Sequence, residues 1–345
     1  MPDLSSELTL FRDRTRAPAV AAARVSDGGL DDIAVVGTRR RGGDVDATVD
    51  DRWHVGSCAK ALTAALYARL VETGRTDWDV PIASVLPDLE HLAERGWRTR
   101  TVEHLLHCRG GTRPNLSPSA MRAAWADRAP LVERRTRVAR DALAARTGRA
   151  GRFVYSNVGY VVVGAAIDRL AGEPYEAALR THLLDPLGIR SLGSGPPPAL
   201  RGHAAKLRIG PWLALPGPAL DPDGPRSDNP AVLSSAGTLH LTLPDWAAFV
   251  AMMLGDGADV LSPRSVERLF APPAGGGPPM AMGWMATPGS ACSTHAFQGS
   301  NTFWAATAML DRRRRRAVLV VCNDGRASVL AKSWALAERL IGRNG

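Results

Sequence analysis

Between Trp53 and Leu66 the chain reads Trp-His-Val-Gly-Ser-Cys-Ala-Lys-Ala-Leu-Thr-Ala-Ala-Leu, a short strand-like lead-in that passes through Gly56 into an apolar run. Alanine and leucine are strong helix formers, so the run predicts an apolar helix starting at or near Ser57. Ser57 and Lys60 are three apart, which places both side chains on one helix face, within reach of a proton transfer from hydroxyl to amine. The helix start adds free backbone N–H groups and a partial positive charge, which suit an oxyanion forming beside Ser57.

Of the 43 basic residues only Lys60, Lys206 and Lys332 are lysines. Arginine cannot deprotonate in a protein, whereas a lysine against neighbours such as Ala61 and Ala64 is neutral part of the time and can act as a base. A serine and lysine three apart also occur as a helix cap followed by a solvent-facing cation, and the motif alone favours that plainer reading. Two further motifs reverse the balance.

At 345 residues, with 45% hydrophobic and 22% charged, the chain has enough material for one large domain or two smaller ones sharing a core. The net charge of +9 is spread over scattered arginines without a nucleic-acid motif, so it implies a general attraction for acidic partners and no nucleic-acid partner. Residues 1–19 lack the apolar core of a signal peptide, and no apolar run reaches the ~20 residues of a membrane span, so a cytoplasmic protein without a membrane partner is expected. Cys58, Cys108, Cys292 and Cys322 are far apart and form no C-x-x-C pair, which reads as reduced thiols with neither zinc nor disulfides. Cys58 reads as a small buried residue.

In chain order, Leu4 to Thr15 predicts an amphipathic helix, and Ala19 to Val25 with Ile33 to Gly37 predicts a hairpin turned at Asp27-Gly28-Gly29. Glu72-Thr73-Gly74 stops the Ser57 helix, and a region rich in proline, glycine and short helices then runs to about residue 285. Within it lie a short helix over Thr101 to His107, a long helix from about Met121 to Ala145, a loop from Ala199 to Pro230 and a helix near Pro244 to Leu254. His104 and His107 lack a third ligand nearby and read as part of a capped, packed helix. Strands return at Asn301 to Leu310 and Ala317 to Cys322, separated by a turn carrying Arg312 to Arg316, and a helix from Ala327 to Ile341 follows. Those five arginines read as a solvated tip, with docking of a carrier protein as the weaker alternative.

The second motif is Phe153-Val154-Tyr155-Ser156-Asn157-Val158-Gly159-Tyr160, placed just before an apolar helix through Leu170. The phenol of Tyr155, drawn toward phenolate by a neighbouring ammonium, would be a proton shuttle, and Asn157 can bind a substrate carbonyl or orient Lys60.

With these motifs in order, the chain resembles the serine β-lactamase and penicillin-binding-protein family, most closely its class C and esterase-like branch. Ser57-Cys58-Ala59-Lys60 is similar to the family's S-x-x-K and Tyr155-Ser156-Asn157 to its Y-x-N, while Val102 to Gly111 and Ser235-Ala236-Gly237-Thr238 resemble structural segments of that branch. The resemblance implies that Ser57 is the acylated nucleophile, Lys60 its activating base and Tyr155 the acid/base of deacylation. It also implies an α/β (α+β) fold: an antiparallel sheet flanked by N- and C-terminal helices (residues 1–70 and 286–345), with a mostly helical region (71–285) inserted and the site between them.

The family's third motif, Lys or His, then Thr, Ser or Ala, then Gly, is where the sequence departs. Here the run is Ser293-Thr294-His295-Ala296-Phe297-Gln298-Gly299-Ser300. Alignment on Gly299-Ser300 puts Phe297 where the cation belongs. Alignment on His295-Ala296 instead needs two extra residues before the glycine, which a bulge could absorb. In both, the N–H of Ser300 can join that of Ser57 as an oxyanion hole, and His295, Phe297, Gln298, Gly299 and Ser300, with Asn157, are the expected substrate-binding residues. The reading is an acyl-serine enzyme without metal or cofactor, an esterase, amidase or transacylase that takes a small neutral acyl donor, with water, an amine or an alcohol as acceptor. A β-lactamase or D-amino-acid peptidase is the alternative within the family, and a catalytically silent binding protein the alternative outside it.

Overall fold

The fold is described from a computed structural model covering residues 3–149, 151–209, 213–255, 257 and 259–342. Five long strands and a short one form an antiparallel sheet: β1 (Ala19–Ser26), β2 (Gly29–Gly37), β8 (Met285–Ala286), β9 (His295–Ser300), β10 (Ala305–Asp311) and β11 (Arg316–Cys322), in the spatial order β2-β1-β11-β10-β9-β8. The chain ends thus meet in the middle of one sheet, where β1 pairs with β11 from Val20↔Cys322 to Ser26↔Arg316. The remaining strands are β3 (Arg52–His54), β4 (Gly193–Ser194) and β7 (Leu239–Thr242), joined as β3-β7-β4, and the hairpin β5 (His203–Ile209) and β6 (Leu213–Ala219).

Strand periodicity sorts the sheet into two cores. Val20, Ala22, Met309, Val318 and Val320 point to one face and pack with Leu4, Leu8 and Phe11 of α1 (Leu4–Thr15) and with Leu336 and Leu340 of the C-terminal helix Ala327–Gly342. Alternate residues, Ala21, Ala23, Ala308, Leu319 and Val321, point the other way into the larger core that includes α2 (Ala59–Glu72). Burial on both faces explains why β1, β10 and β11 read as nearly continuous apolar runs. The helix Leu243–Leu254 also lies against β1, β2 and β11, so the segment 71–285 supplies part of the packing of this sheet.

Three elements differ from expectation. The helix expected over Met121 to Ala145 is two helices, Pro118–Ala126 and Leu131–Ala144, because Asp127 is extended and Pro130, also non-helical, is the N-cap of the second. Much of the expected loop Ala199 to Pro230 is the hairpin β5–β6, whose register shifts around Ala205 accommodate the Pro216-Gly217-Pro218 run. Asn301 to Trp304 is a turn before β10 and not the start of that strand, since Asn301 Oδ1 accepts the N–H groups of Phe303 and Trp304 at 3.1 and 3.2 Å.

Candidate active site

Gly56 has φ +52°, and a tight turn over Gly56–Cys58 leads into α2. A side chain at Gly56 would strike the backbone N of Ser300, and one at Gly299 would strike the Val55 carbonyl and the backbone N of Ser57. The two glycines let this turn lie directly on the end of β9, which brings the N–H-bearing segments of Ser57 and Ser300 together. The helix begins at Ala59, with Ser57 in the turn before it.

The Lys60 side chain is completely buried. Its Nζ lies 3.1 Å from Ser57 Oγ, 2.8 Å from Asn157 Oδ1 and 2.6 Å from the carbonyl of Ala236. Burial lowers its pKa to about 7. A neutral amine has two N–H donors and one lone pair. Asn157 and Ala236 accept the two hydrogens, so the lone pair faces the hydroxyl of Ser57. Tyr155 donates its O–H to Ser57 Oγ at 2.8 Å, completing a line from Tyr155 through Ser57 to Lys60. Burial raises the pKa of Tyr155, the opposite of the expected pull toward phenolate; the phenol keeps its proton in the resting site.

Each partner is held from behind. Ser156 caps the helix Asn157–Ala171 by accepting the N–H of Gly159 at 2.9 Å, which sets Asn157 at the first helical position. Asn157 Nδ2 donates to Asn115 Oδ1 at 2.7 Å, orienting its other atom toward Lys60. Thr63, one turn along α2 from Lys60, donates to the carbonyl of Ser235 at 2.8 Å, and Ser235 Oγ donates to the carbonyl of Tyr160 at 2.8 Å. These bonds aim the next carbonyl, that of Ala236, at Lys60. Ala236 and Asn115 were not identified from sequence as partners of the site, because a carbonyl has no residue-type signal and Asn115 stands outside any motif.

Strand β9 pairs with β10 from His295↔Leu310 to Ser300↔Ala305 in unbroken register, so the bulge that would move His295 forward is not present. Phe297, on the same strand face as Gly299, is buried with its ring 6.4 Å from that of Tyr155. His295 sits at the other end of β9: its Nε2 is 2.9 Å from the Phe270 carbonyl, its Nδ1 is 3.1 Å from Thr294 Oγ1, and burial lowers its pKa to about 4. Gln298 points to the opposite face, where Nε2 donates to Thr307 Oγ1 and to the Leu330 carbonyl under the C-terminal helix. Its side chain is therefore turned away from Ser57, although it was expected among the substrate-binding groups. Ser300 Oγ donates to the Trp304 carbonyl at 2.7 Å, leaving its backbone as the part facing the nucleophile turn.

The other singled-out residues have local roles. Cys58 is buried, with burial raising its pKa to about 12, which keeps the thiol protonated and inert. His104 closes a capping box with Thr101, and His107 Nδ1 meets the Met280 carbonyl at 2.9 Å. Of the arginines at the β10–β11 turn, Arg312 pairs with Glu267, Arg313 and Arg314 with Asp311, and Arg315 with Asp27. Among the described residues no helix is long and apolar enough to cross a membrane.

The family model described as Beta-lactamase matches residues 8–342. Penicillin-binding protein 4 of Amycolatopsis lactamdurans is 30% identical over 248 residues, covering 72% of this chain and 62% of its own length. A hydrolase of unguisins from Aspergillus campestris is 25% identical over 65% of this chain and 42% of its own length, so the chain spans less than two thirds of either relative. Among solved structures, a penicillin-binding protein homologue from Pyrococcus abyssi superposes with a TM-score of 0.77 at 19% identity, covering 98% of this chain and 76% of that one. D-amino acid amidase from Ochrobactrum anthropi SV3 superposes with a TM-score of 0.76 at 18% identity, covering 99% and 98%. These structural likenesses concern the fold.

Proposed function

Because the chain belongs to the beta-lactamase family, whose members include serine hydrolases, we propose that it is an acyl-serine hydrolase acting on small uncharged esters or amides. The observation that carries the chemistry is the hydrogen-bonded line from Tyr155 through Ser57 to a buried Lys60. Lys60 takes the hydroxyl proton as Ser57 Oγ adds to the substrate carbonyl, and the N–H groups of Ser57 and Ser300 receive the oxyanion. Tyr155 O–H protonates the leaving group and regains a proton from Lys60. Water then attacks the acyl-enzyme, giving up its proton to the same groups, and Ser57 is restored.

The geometry of β9 supports an uncharged substrate class. A carboxylate placed beside Phe297 would lose its hydration and gain no partner, while both ring nitrogens of His295 are already engaged at the far end of the strand. Uncharged acyl donors suffer no such penalty. A D-amino acid amidase of the same fold makes amides, which present no carboxylate at the scissile group, the first compounds to try.

The test is intact-mass detection of acyl adducts on activated esters, amides and β-lactams, followed by kcat/KM for each. Adducts should form on neutral donors and vanish in Ser57→Ala. An adduct that persists in that variant would remove Ser57 from its role. Failure of the wild type to react with any donor would favour the silent binding protein, and efficient penicillin hydrolysis would overturn the substrate class.

A further inference from the structure

Behind the nucleophile turn lies a buried polar cluster that the chemistry above does not use. His54, the last residue of β3, stands three positions before Ser57 and is 1% exposed. Its Nδ1 lies 3.1 Å from the backbone N of Gly56. An amide N–H can only donate, so Nδ1 accepts and the ring hydrogen resides on Nε2. That hydrogen meets Asp228 Oδ2 at 2.9 Å. The other oxygen, Oδ1, accepts from Asn301 Nδ2 at 2.7 Å and from the backbone N of Asn229 at 2.7 Å. Asn301 immediately follows Ser300, and its own Oδ1 closes the turn after β9. Trp304 stacks on His54 with ring centroids 5.4 Å apart.

One carboxylate therefore ties together the two segments whose N–H groups are assigned to the oxyanion above. Through His54 it holds the peptide of Gly56, whose φ of +52° determines where the Ser57 N–H points. Through Asn301 it holds the residue after Ser300. We propose that Asp228, with His54 and Asn301, is a positioning device that holds the Ser57 and Ser300 N–H groups at the separation an oxyanion requires. The inference rests on the acyl-serine reading above. Preorganised donors gain their effect from not having to reorganise during reaction, so a carboxylate spanning both is placed to control kcat more than substrate affinity.

The near-isosteric Asp228→Asn variant replaces one acceptor oxygen with a donor, which sets an N–H against Nε2–H or against Asn301. The ring can answer by moving its hydrogen to Nδ1, and it then opposes the N–H of Gly56. Because both donors remain present, the loss should be smaller than the ~10²–10³ of deleting an oxyanion donor: about 10- to 100-fold in kcat with KM changed less than about threefold. Affinity for a phenylboronic acid, which forms a tetrahedral adduct on the serine, should fall in parallel. Asn301→Ala should cost less, and the double variant should lose no more than Asp228→Asn, because the groups act as one unit. Imidazole 15N NMR should find His54 with its hydrogen on Nε2 in the wild type, and in Asp228→Asn part of the population should move to Nδ1.

The outcome that overturns the proposal is a variant whose folded fraction or melting temperature drops while kcat per titrated Ser57 and boronate affinity stay at wild-type values; the cluster would then serve stability alone. A wild-type His54 with its hydrogen on Nδ1 would overturn it as well. A wild type that binds no boronate and forms no acyl adduct would sink the acyl-serine reading instead, and the NMR result would still decide whether Asp228 sets the tautomer of His54.

Discussion

Lys60 and Arg135 are both shielded from water, and their surroundings treat the two charges in opposite ways. Arg135 is gripped by Asp168 at 2.7 and 2.8 Å and by Glu176 at 2.8 and 3.1 Å. Burial alone would lower its pKa, but its hydrogen bonds to those two carboxylates outweigh it and raise the value. Lys60 meets a hydroxyl, two carbonyl oxygens and the rings of Tyr155 and Tyr160 at 5.0 and 5.2 Å, none of them a carboxylate, so burial prevails and its pKa falls to about 7. A carboxylate partner fixes a cation as structure, whereas uncharged acceptors stabilise it too little to offset burial and leave a base. Arginine would be useless at the first position and lysine less suited to the forked grip at the second.

The largest expected effect comes from erasing that difference. Lys60→Arg retains charge but cannot accept a proton, so stopped-flow acylation should slow by ~10²–10⁴ while the fold is kept. Near wild-type acylation would reduce Lys60 to an electrostatic role. The counterpart change, Arg135→Met, leaves Asp168 and Glu176 without their cation; denaturant unfolding should report a loss of roughly 3–5 kcal/mol, with the chemistry of the molecules that remain folded little altered.

Asn157→Asp would bring the two environments closer. It sets a carboxylate 2.8 Å from Lys60 Nζ, where Arg135 already has two. The charged amine gains a partner, so its pKa rises and acylation at pH 7 should drop about tenfold or more, recovering at higher pH. A pH–rate profile that stays where it was would show that burial alone governs Lys60.

How much of this was readable beforehand depended on the kind of signal. Ser57, Lys60, Tyr155 and Asn157 announced themselves through residue type, spacing and order, and α1 was readable from its amphipathic pattern. The neutral state of Lys60 comes from burial, and the direction of its lone pair from the Ala236 carbonyl, a backbone atom aimed by Thr63 and Ser235 that leaves no trace in composition. Both alignments of the third motif were open from sequence, because the choice between them is a matter of strand register, and register is set by pairing with β10. Gln298 was misjudged for a related reason: alternation along β9 sends its side chain to the helix-covered face. Asp228 lies in a proline- and glycine-rich segment 174 positions from His54, a separation across which no spacing rule operates.

The smallest effect is expected at Phe297. Phe297→His places an imidazole on the strand face beside Tyr155, and should raise kcat/KM for a carboxylate-bearing β-lactam a few-fold, about what one new hydrogen bond to a charged group provides, relative to a neutral ester of similar size. An equal change for both substrates would mean that this position senses bulk and not charge.

The central claim, that Lys60 is a neutral base because burial outweighs the uncharged acceptors around it, is tested most directly by the rate of single-turnover acylation of the wild type by a neutral ester between pH 5 and 9. Below its pKa the amine is protonated and has no lone pair for Ser57, so the rate should rise with pH through a midpoint near 7 and then level off. A rate independent of pH across that range, or the same midpoint retained in Lys60→Arg, would contradict the account.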